Sequence, residues 1–160
     1  MAILETPSGD LTARLRECLH AWDEGSSITL TSGTRLSDFS GTYDLFAIVT
    51  SDLAAPFPSG DLSCQALLLP GDAQMAILEQ IPSKWAVSFG FSPKDSITVS
   101  SIGSDYAVLA LQRELVTVAG HIVEQQEIPL SHPTSTSASD LMALYGCLLL
   151  LGAPLKTPSV

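Results

Sequence analysis

Three short and nearly continuous apolar runs dominate the first two thirds of the chain. They cover residues 43–51, 63–71 and 85–91. Runs of this length that do not alternate with polar residues are typical of strands covered on both faces. Residues 73–81 place apolar side chains at helical spacing behind a predicted N-cap at Asp72. Because apolar strands alternate with helical stretches, the pattern predicts a parallel sheet flanked by helices.

Two longer stretches have the pattern of helices. Residues 9–24 begin with a predicted N-cap, Asp10. Their apolar side chains form one stripe: Leu11, Leu15, Cys18, Leu19 and Trp22. Residues 140–151 are apolar around most of the helix circumference and end at Gly152. Such a helix needs two covers: we expect the sheet on one side and either the first helix or a second copy of the chain on the other.

The pattern changes after Pro93. Residues 96–102 alternate apolar and polar side chains, as a half-exposed strand does. Residues 106–118 form a long segment rich in strand-forming residues, and a hairpin turn is predicted around Gly120. These segments predict antiparallel strands added to the parallel sheet.

The elements together predict one α/β domain spanning residues 1–160. The expected architecture is Rossmann-like with three layers. Its mixed sheet has a parallel core flanked by helices and an appended antiparallel β-hairpin. Residues 1–8 and 155–160 are expected to be flexible ends.

Composition and charge argue against nucleic-acid binding and against a membrane span. Hydrophobic residues make up 46% of the chain and charged residues 15%, and the net charge is -10 with only seven Lys plus Arg. Such an acidic chain repels phosphate backbones and anionic lipids, so we expect no nucleic-acid partner. The longest apolar segment, residues 141–152, is shorter than the roughly 20 residues that span a bilayer, so no membrane span is expected.

Cysteine usage and the N-terminus indicate the compartment. Three widely spaced cysteines do not form a disulfide framework. The first ten residues lack the basic and long apolar regions of a signal peptide. A reducing cytoplasm is the expected location.

The order of short motifs over residues 63–154 resembles the second half of a Mur ligase central domain. In that family a strand ends in a Thr/Ser-aromatic-Gly element, and a segment with an acidic residue and alternating apolar residues follows. Antiparallel strands and a helix that ends in Leu-Gly complete the unit. The matching residues are Ser88, Phe89 and Gly90; Asp95, Ile97, Val99 and Ile102; Ile128, Pro129 and Leu130; and Leu151 and Gly152.

Two departures from the family concern the nucleotide. Mur ligases carry a Gly-rich phosphate loop that ends in Gly-Lys-Thr/Ser, whereas residues 31–35, TSGTR, have one glycine and no following lysine. The family's Gly-x-His-Asn-x-x-Asn-Ala element is replaced by residues 131–139, and the chain contains no asparagine. The resemblance therefore implies a shortened relative that has lost ATP binding, with no catalytic residue carried over and no cofactor.

Polar and glycine residues that follow the predicted parallel strands make a candidate ligand cleft. Its members are Ser32, Gly33, Asp52, Gly71, Asp72 and Gly90. The carboxyl ends of parallel strands meet at one edge of a sheet, where α/β proteins bind ligands. The negative charge of Asp72 disfavours an anion there and favours a small neutral ligand.

Other interpretations of the same residues stay open. Asp52 and Asp72 form an acid/base pair, or hold a hard cation through oxygen ligands, if their loops meet. Alternatively, Gly71 and Asp72 are only a turn and a helix cap. The three histidines have no partner at ligand spacing, so we expect no metal site. We expect Arg113 to pair across a hairpin with Glu114 or Glu124.

The preferred interpretation is a non-catalytic, bacterial-type domain. It binds an unknown protein partner, or forms a homo-oligomer through its C-terminal helix. Two alternatives are a small-ligand-binding module that uses the candidate cleft and a hydrolase-type enzyme without a recognisable motif.

Overall fold

The computed structural model describes residues 1–50, 61–73, 75–131 and 136–155. Its strands are β1 (Ala2–Leu4), β2 (Thr31–Gly33), β3 (Gly41–Ile48), β4 (Leu62–Pro70), β5 (Ser83–Phe89), β6 (Ile97–Ile102), β7 (Tyr106–Leu111), β8 (Leu115–Val116), β9 (Ile122–Val123) and β10 (Glu127–Ser131). Its α-helices are α1 (Leu11–His20), α2 (Met75–Gln80) and α3 (Ala138–Leu151). Short 3-10 helices cover Asp23–Ser27 and Leu36–Asp38.

Eight of these strands form one sheet in the order β10-β7-β6-β5-β4-β3-β1-β2. The pairs from β2 through to β6 are parallel, whereas β7 runs antiparallel to both β6 and β10. Phe46 of β3 pairs with Leu67 of β4, which pairs in turn with Ala86 of β5. The predicted α/β class and the parallel arrangement of the three apolar strands are therefore confirmed. The expected cover on both faces is wrong for β5, because Lys84 and Ala86 on one of its faces are exposed.

The parallel core separates two hydrophobic clusters, because successive side chains of a strand point to opposite faces. On one face Ile3, Leu45 and Leu68 pack with α1 and α3. On the other face Phe46 and Leu67 lie in a cluster with the α2 residues and the Leu36 turn. Both clusters are buried, so the sheet has a covering layer on each side of its core, as predicted.

The N-terminal residues are part of the sheet, and the expectation of a flexible end is wrong for them. Strand β1 lies between β2 and β3, and Ala2, Ile3 and Leu4 are fully buried. A run of three apolar residues is too short for periodicity to separate it from an unstructured end. At the other predicted flexible end, residues 155–160, Leu155 is partly buried. Residues 156–160 lie outside the described residues.

The predicted hairpin is present but does not join the sheet. Among the described strands, β8 and β9 pair with each other alone. Gly120 between them has a φ of 85°, which favours glycine. The long predicted strand breaks after Leu111. Arg113 donates a hydrogen bond to the carbonyl of Lys94 at 2.7 Å. Within the described residues it forms no ion pair, so the predicted pairing with Glu114 or Glu124 is wrong.

Helix α3 is covered within its own chain. From Leu141 to Leu150 every residue except Tyr145 is buried. The sheet covers one side, and Leu15 and Trp22 of the N-terminal helical region belong to the same cluster as α3. The helix begins at an N-cap, Ser137, whose Oγ accepts the Asp140 N–H at 3.0 Å. Of the two covers expected for the second side of α3, the N-terminal helix is therefore the one observed.

None of the helices in the described part of the chain combines the length and the apolarity needed to cross a bilayer.

Among the described residues, one half of the sheet has a face that carries no hydrophobic cluster. We call this the open face. Its residues lie on four strands: Lys84, Ala86 and Ser88 on β5; Thr98 and Ser101 on β6; Tyr106, Val108 and Ala110 on β7; and Glu127, Pro129 and Ser131 on β10. They belong to neither cluster, and most are exposed. The opposite face of the same strands packs on α3.

Candidate functional site

The structure brings together only part of the predicted cleft. Gly71 and Asp72 follow β4, and Gly90 follows the adjacent strand β5, so these three residues line one hollow. Ser32 and Gly33 lie in β2, which two strands separate from β4, and they do not line it. With strands roughly 4.8 Å apart, that separation is about 14 Å. Asp52 lies outside the described residues.

We call this cavity the glycine hollow. It has a volume of about 350 Å³ and lies at the carboxyl ends of β4 and β5, beside the first turn of α3. Its polar lining consists of Gly71, Asp72, Gly90, Ser92, Asp95 and Ser139. Its apolar lining consists of Pro70, Phe89, Phe91 and Met142. The hollow therefore combines carboxylates with aromatic and thioether side chains.

Asp95 is the residue that the candidate cleft missed. Its side chain is only 4% exposed and lies between the two glycines. A Cβ atom added at Gly71 would overlap Oδ1 of Asp95, and one added at Gly90 would overlap Oδ2. Neither glycine has a positive φ. Glycine is thus required here for space and not for backbone conformation.

The turn that carries Asp95 holds its carboxyl group in place. Oδ2 accepts the N–H of Ser92 at 3.0 Å, and the N–H of Asp95 donates to the carbonyl of Ser92 at 2.9 Å. Oδ1 accepts no hydrogen bond from the residues that the structure describes. The sequence does carry a signal for this residue: a Ser-Pro-Lys-Asp turn directly after the Phe-Gly end of a buried strand.

A second hollow lies where the strand order reverses. The chain leaves β1 for β2 on one side and later returns to β3 on the other, and this position of an α/β sheet commonly binds ligands. The hollow there has a volume of about 230 Å³, and its lining includes Glu5, Asp10, Val49 and Asp140. We call it the switch hollow.

The switch hollow contains a carboxylate at the position that commonly binds an anion. The amino terminus of α1 opens there, and helix N-termini attract phosphates and carboxylates. Glu5 takes this position itself: its carboxylate accepts the hydroxyl of Thr12 and, at 3.4 Å, the N–H of the same residue. Arg14 is bound nearby to Asp10 at 2.9 Å and to Thr136 at 2.7 Å.

A phosphate loop joins a strand to the helix that follows it. The first such unit in this chain consists of β1, the loop after it and α1. The sequence pattern places the counterpart of the phosphate loop at residues 31–35. Those residues instead contain the edge strand β2 and the residue before a 3-10 helix. The loop between β1 and α1, residues 5–10, is the first in the chain that leads from a buried strand into an α-helix. It contains Glu5 and Asp10 and no lysine.

Two of the three thiols, those of Cys64 and Cys147, are poor candidates for chemistry. Burial raises the pKa of Cys64 to about 11 and that of Cys147 to about 12, so neither forms a thiolate nucleophile near neutral pH. Over the described ranges, no three His, Cys, Asp or Glu side chains lie close enough to hold a metal ion.

No protein-family model matches the chain, and no curated protein matches it either.

Proposed function

We propose that the chain is a non-catalytic binding domain that holds a small ligand in the glycine hollow. The observation that carries this proposal is the pair of glycines whose missing side chains make room for the buried carboxyl group of Asp95. The position supports it, because α/β sheets bind ligands beyond the carboxyl ends of their strands. The volume of about 350 Å³ lies within the range of small-molecule sites.

The distribution of carboxylates supports the loss of nucleotide binding that the Mur ligase resemblance implies. A nucleotide carries phosphates, which need N–H donors and cations. In the switch hollow Glu5 already accepts the N–H of Thr12. In the glycine hollow Asp72 and Asp95 add negative charge. We therefore keep the shortened, non-ATP-binding Mur ligase relative as part of the proposal.

A thermal-shift screen of neutral, cationic and anionic metabolites, with ATP included, tests the proposal. A ligand at a hundredfold excess over its Kd stabilises the fold by about 2.7 kcal/mol. We expect stabilisation by a small non-phosphorylated compound and none by ATP. The Phe91→Ala variant should lose the effect, because Phe91 lines the hollow and is 71% exposed. Ile122→Ala is the matched control: Ile122 is 66% exposed and lies on β9.

Stabilisation by ATP contradicts the proposed loss of nucleotide binding. Equal loss of a ligand's effect in the Phe91→Ala and Ile122→Ala variants contradicts the assignment to the glycine hollow.

A second candidate function is docking of a protein on the open face. The observation that favours it is a sheet surface lined by small side chains such as Ala86, Ser88 and Val108, with charges only at Lys84 and Glu127. The partner is either another protein or a second copy of the chain. Such a homo-oligomer uses the open face instead of the buried α3.

Light scattering over a range of protein concentrations tests self-assembly. We expect a mass above 16.9 kDa that falls to the monomer value in an Ala86→Arg variant. A monomer at every concentration contradicts the homo-oligomer.

A further inference from the structure

We propose that the glycine hollow selects a small organic cation, namely a primary ammonium group on a short apolar body. This inference rests on the proposed function, which assigns a small ligand to the hollow, and it adds the charge and shape of that ligand.

The charges around the hollow favour a cation. Asp72 and Asp95 contribute two carboxylates, and none of the described lining residues is basic. The first turn of α3 reaches the hollow at Ser139, and a helix N-terminus there adds roughly half a positive charge. Two full negative charges outweigh that fraction. The carboxyl group of Asp140, in the same first turn of α3, offsets the helix dipole further.

The nearest basic side chains do not reverse this balance. Lys94 is in the turn that carries Asp95, but it is exposed and does not line the hollow. Arg113 is bound to the backbone carbonyl of Lys94 at 2.7 Å, on the exposed side of the turn.

Asp95 supplies the specific contact. Its side chain is 96% buried, and its Oδ2 already accepts the Ser92 N–H, whereas Oδ1 has no donor among the described residues. Oδ1 is thus left to accept a hydrogen bond from a ligand in the hollow. An ammonium group has three N–H donors and no acceptor, so it satisfies Oδ1 and neutralises the charge at once.

The remaining lining fits an apolar body better than a hydrated metal ion. Phe89 and Met142 form apolar walls, and the exposed ring of Phe91 stands at the rim. An aromatic face attracts an organic cation as well as an alkyl chain. A hard divalent ion needs six or more oxygen ligands, and these side chains supply none.

Titrations of the full chain followed by ¹H–¹⁵N spectra test the proposal. The probes are n-butylammonium chloride, n-butanol and sodium butyrate at constant ionic strength. We expect n-butylammonium to shift the amides of Gly71, Gly90 and Ser92 with saturation. The alcohol should bind about tenfold more weakly, because it lacks the charge-assisted hydrogen bond. Butyrate should not bind in the hollow.

Variants of Asp72 and Asp95 test whether these two carboxylates cause the preference for a cation. Asp72→Asn should weaken n-butylammonium binding about threefold, as expected for an exposed charge. Glu79→Gln removes the same charge from an exposed position on α2 outside the hollow and should leave binding unchanged. Asp95→Asn keeps the shape of the side chain and should abolish the preference for the ammonium over the alcohol. Each spectrum also reports whether the variant folds.

The outcomes separate the two proposals. If the alcohol binds the hollow as well as the ammonium does, or if Asp72→Asn and Glu79→Gln have equal effects, the cation preference is wrong while the ligand site stands. If no probe shifts the amides of the hollow, and the metabolite screen gives no ligand there, both proposals are wrong.

Discussion

The two halves of the sheet differ in whether one or both of their faces are covered by other parts of the protein. Strands β1, β3 and β4 are covered on both faces, and residues 45–48 and 66–70 are buried without interruption. Strand β10 alternates buried and exposed residues from Glu127 to Ser131, since only one of its faces is covered. Parallel strands between helical layers need apolar side chains on both sides, whereas antiparallel strands tolerate water on one.

The difference separates the buried core from the accessible surface of the sheet. The covered half, made of β1, β3 and β4, supplies most of the two-sided core. The glycine hollow lies at the boundary, where β4 ends next to β5, and the open face begins at β5. Surface that is available to a ligand or partner therefore starts where the second covering layer stops.

The largest expected effect comes from removing a side chain in the covered half. Phe46 is fully buried and stacks edge to face on Phe39 with ring centroids 4.9 Å apart. We expect Phe46→Ala to lower the free energy of unfolding by about 3–5 kcal/mol. Tyr106→Ala on the open face, which is 48% exposed, should cost less than about 1 kcal/mol. Urea unfolding measures both, and similar losses would contradict the comparison.

At the boundary between the halves, we expect Gly71→Ala to destabilise the fold by about 1–3 kcal/mol, because the added Cβ overlaps Asp95. A double variant that also carries Asp95→Gly should recover part of this loss. Gly41→Ala is the control: its φ of 86° strains any added Cβ, but no atom of the described residues stands in the way. Asp95→Gly should not rescue it. An additive double-mutant cycle at residues 71 and 95 would show that the two positions do not interact.

In the switch hollow, Glu5→Gln should cost about 1 kcal/mol. The neutral amide loses the favourable interaction of a carboxylate with the amino terminus of α1. Glu17→Gln, on the exposed side of the same helix, is the control and should change the free energy of unfolding by less than about 0.5 kcal/mol. Thermal or urea unfolding at low ionic strength measures the difference. No loss in Glu5→Gln would mean that its contact with Thr12 does not stabilise the helix.

The smallest effect at neutral pH concerns the cysteines. Burial raises the folded-state pKa of Cys147 to about 12 from an ordinary value of 9.0, so the thiol stabilises the fold below pH 9 and loses that contribution as the pH rises toward 12. Burial likewise raises the pKa of Cys64 to about 11, so its contribution to stability is lost as the pH rises from 9 toward 11. We expect no reaction of either thiol with a thiol reagent at pH 7 in the folded chain. The free energy of unfolding should fall above pH 9, and less so in Cys147→Ala. Rapid labelling of Cys64 or Cys147 at pH 7, as opposed to the half-buried Cys18, would contradict their burial.

The covered half was largely predictable. Continuous apolar runs at residues 43–51 and 63–71 identify strands with two covered faces, and the glycine at residue 152 identifies the end of α3, where it adopts a φ of 76°. Strand β1 was not predicted, because a run of three apolar residues is too short to show the periodicity of a strand. Its neighbours in the sheet, β2 and β3, are distant in sequence.

The structure brings only three of the six predicted cleft residues together, for a related reason. Gly71, Asp72 and Gly90 follow adjacent strands, and the local pattern of strand, turn and glycine locates them. Whether Ser32 and Gly33 join them depends on the order of strands, and strand order is not a local property. The sequence pattern does not place Asp95 in the cleft, because its contact with two glycines exists only once β4 and β5 lie side by side.

The sequence by itself determined the class of fold, the parallel core, the acidic charge and the positions of the turns, because each depends on residues close together in the chain. Only the tertiary structure decided that α3 is covered by its own chain, that Glu5 occupies the amino terminus of α1, and that two glycines enclose a carboxylate. Each of these is a contact between separate elements. Its energy depends on distance in space, which periodicity and composition do not encode.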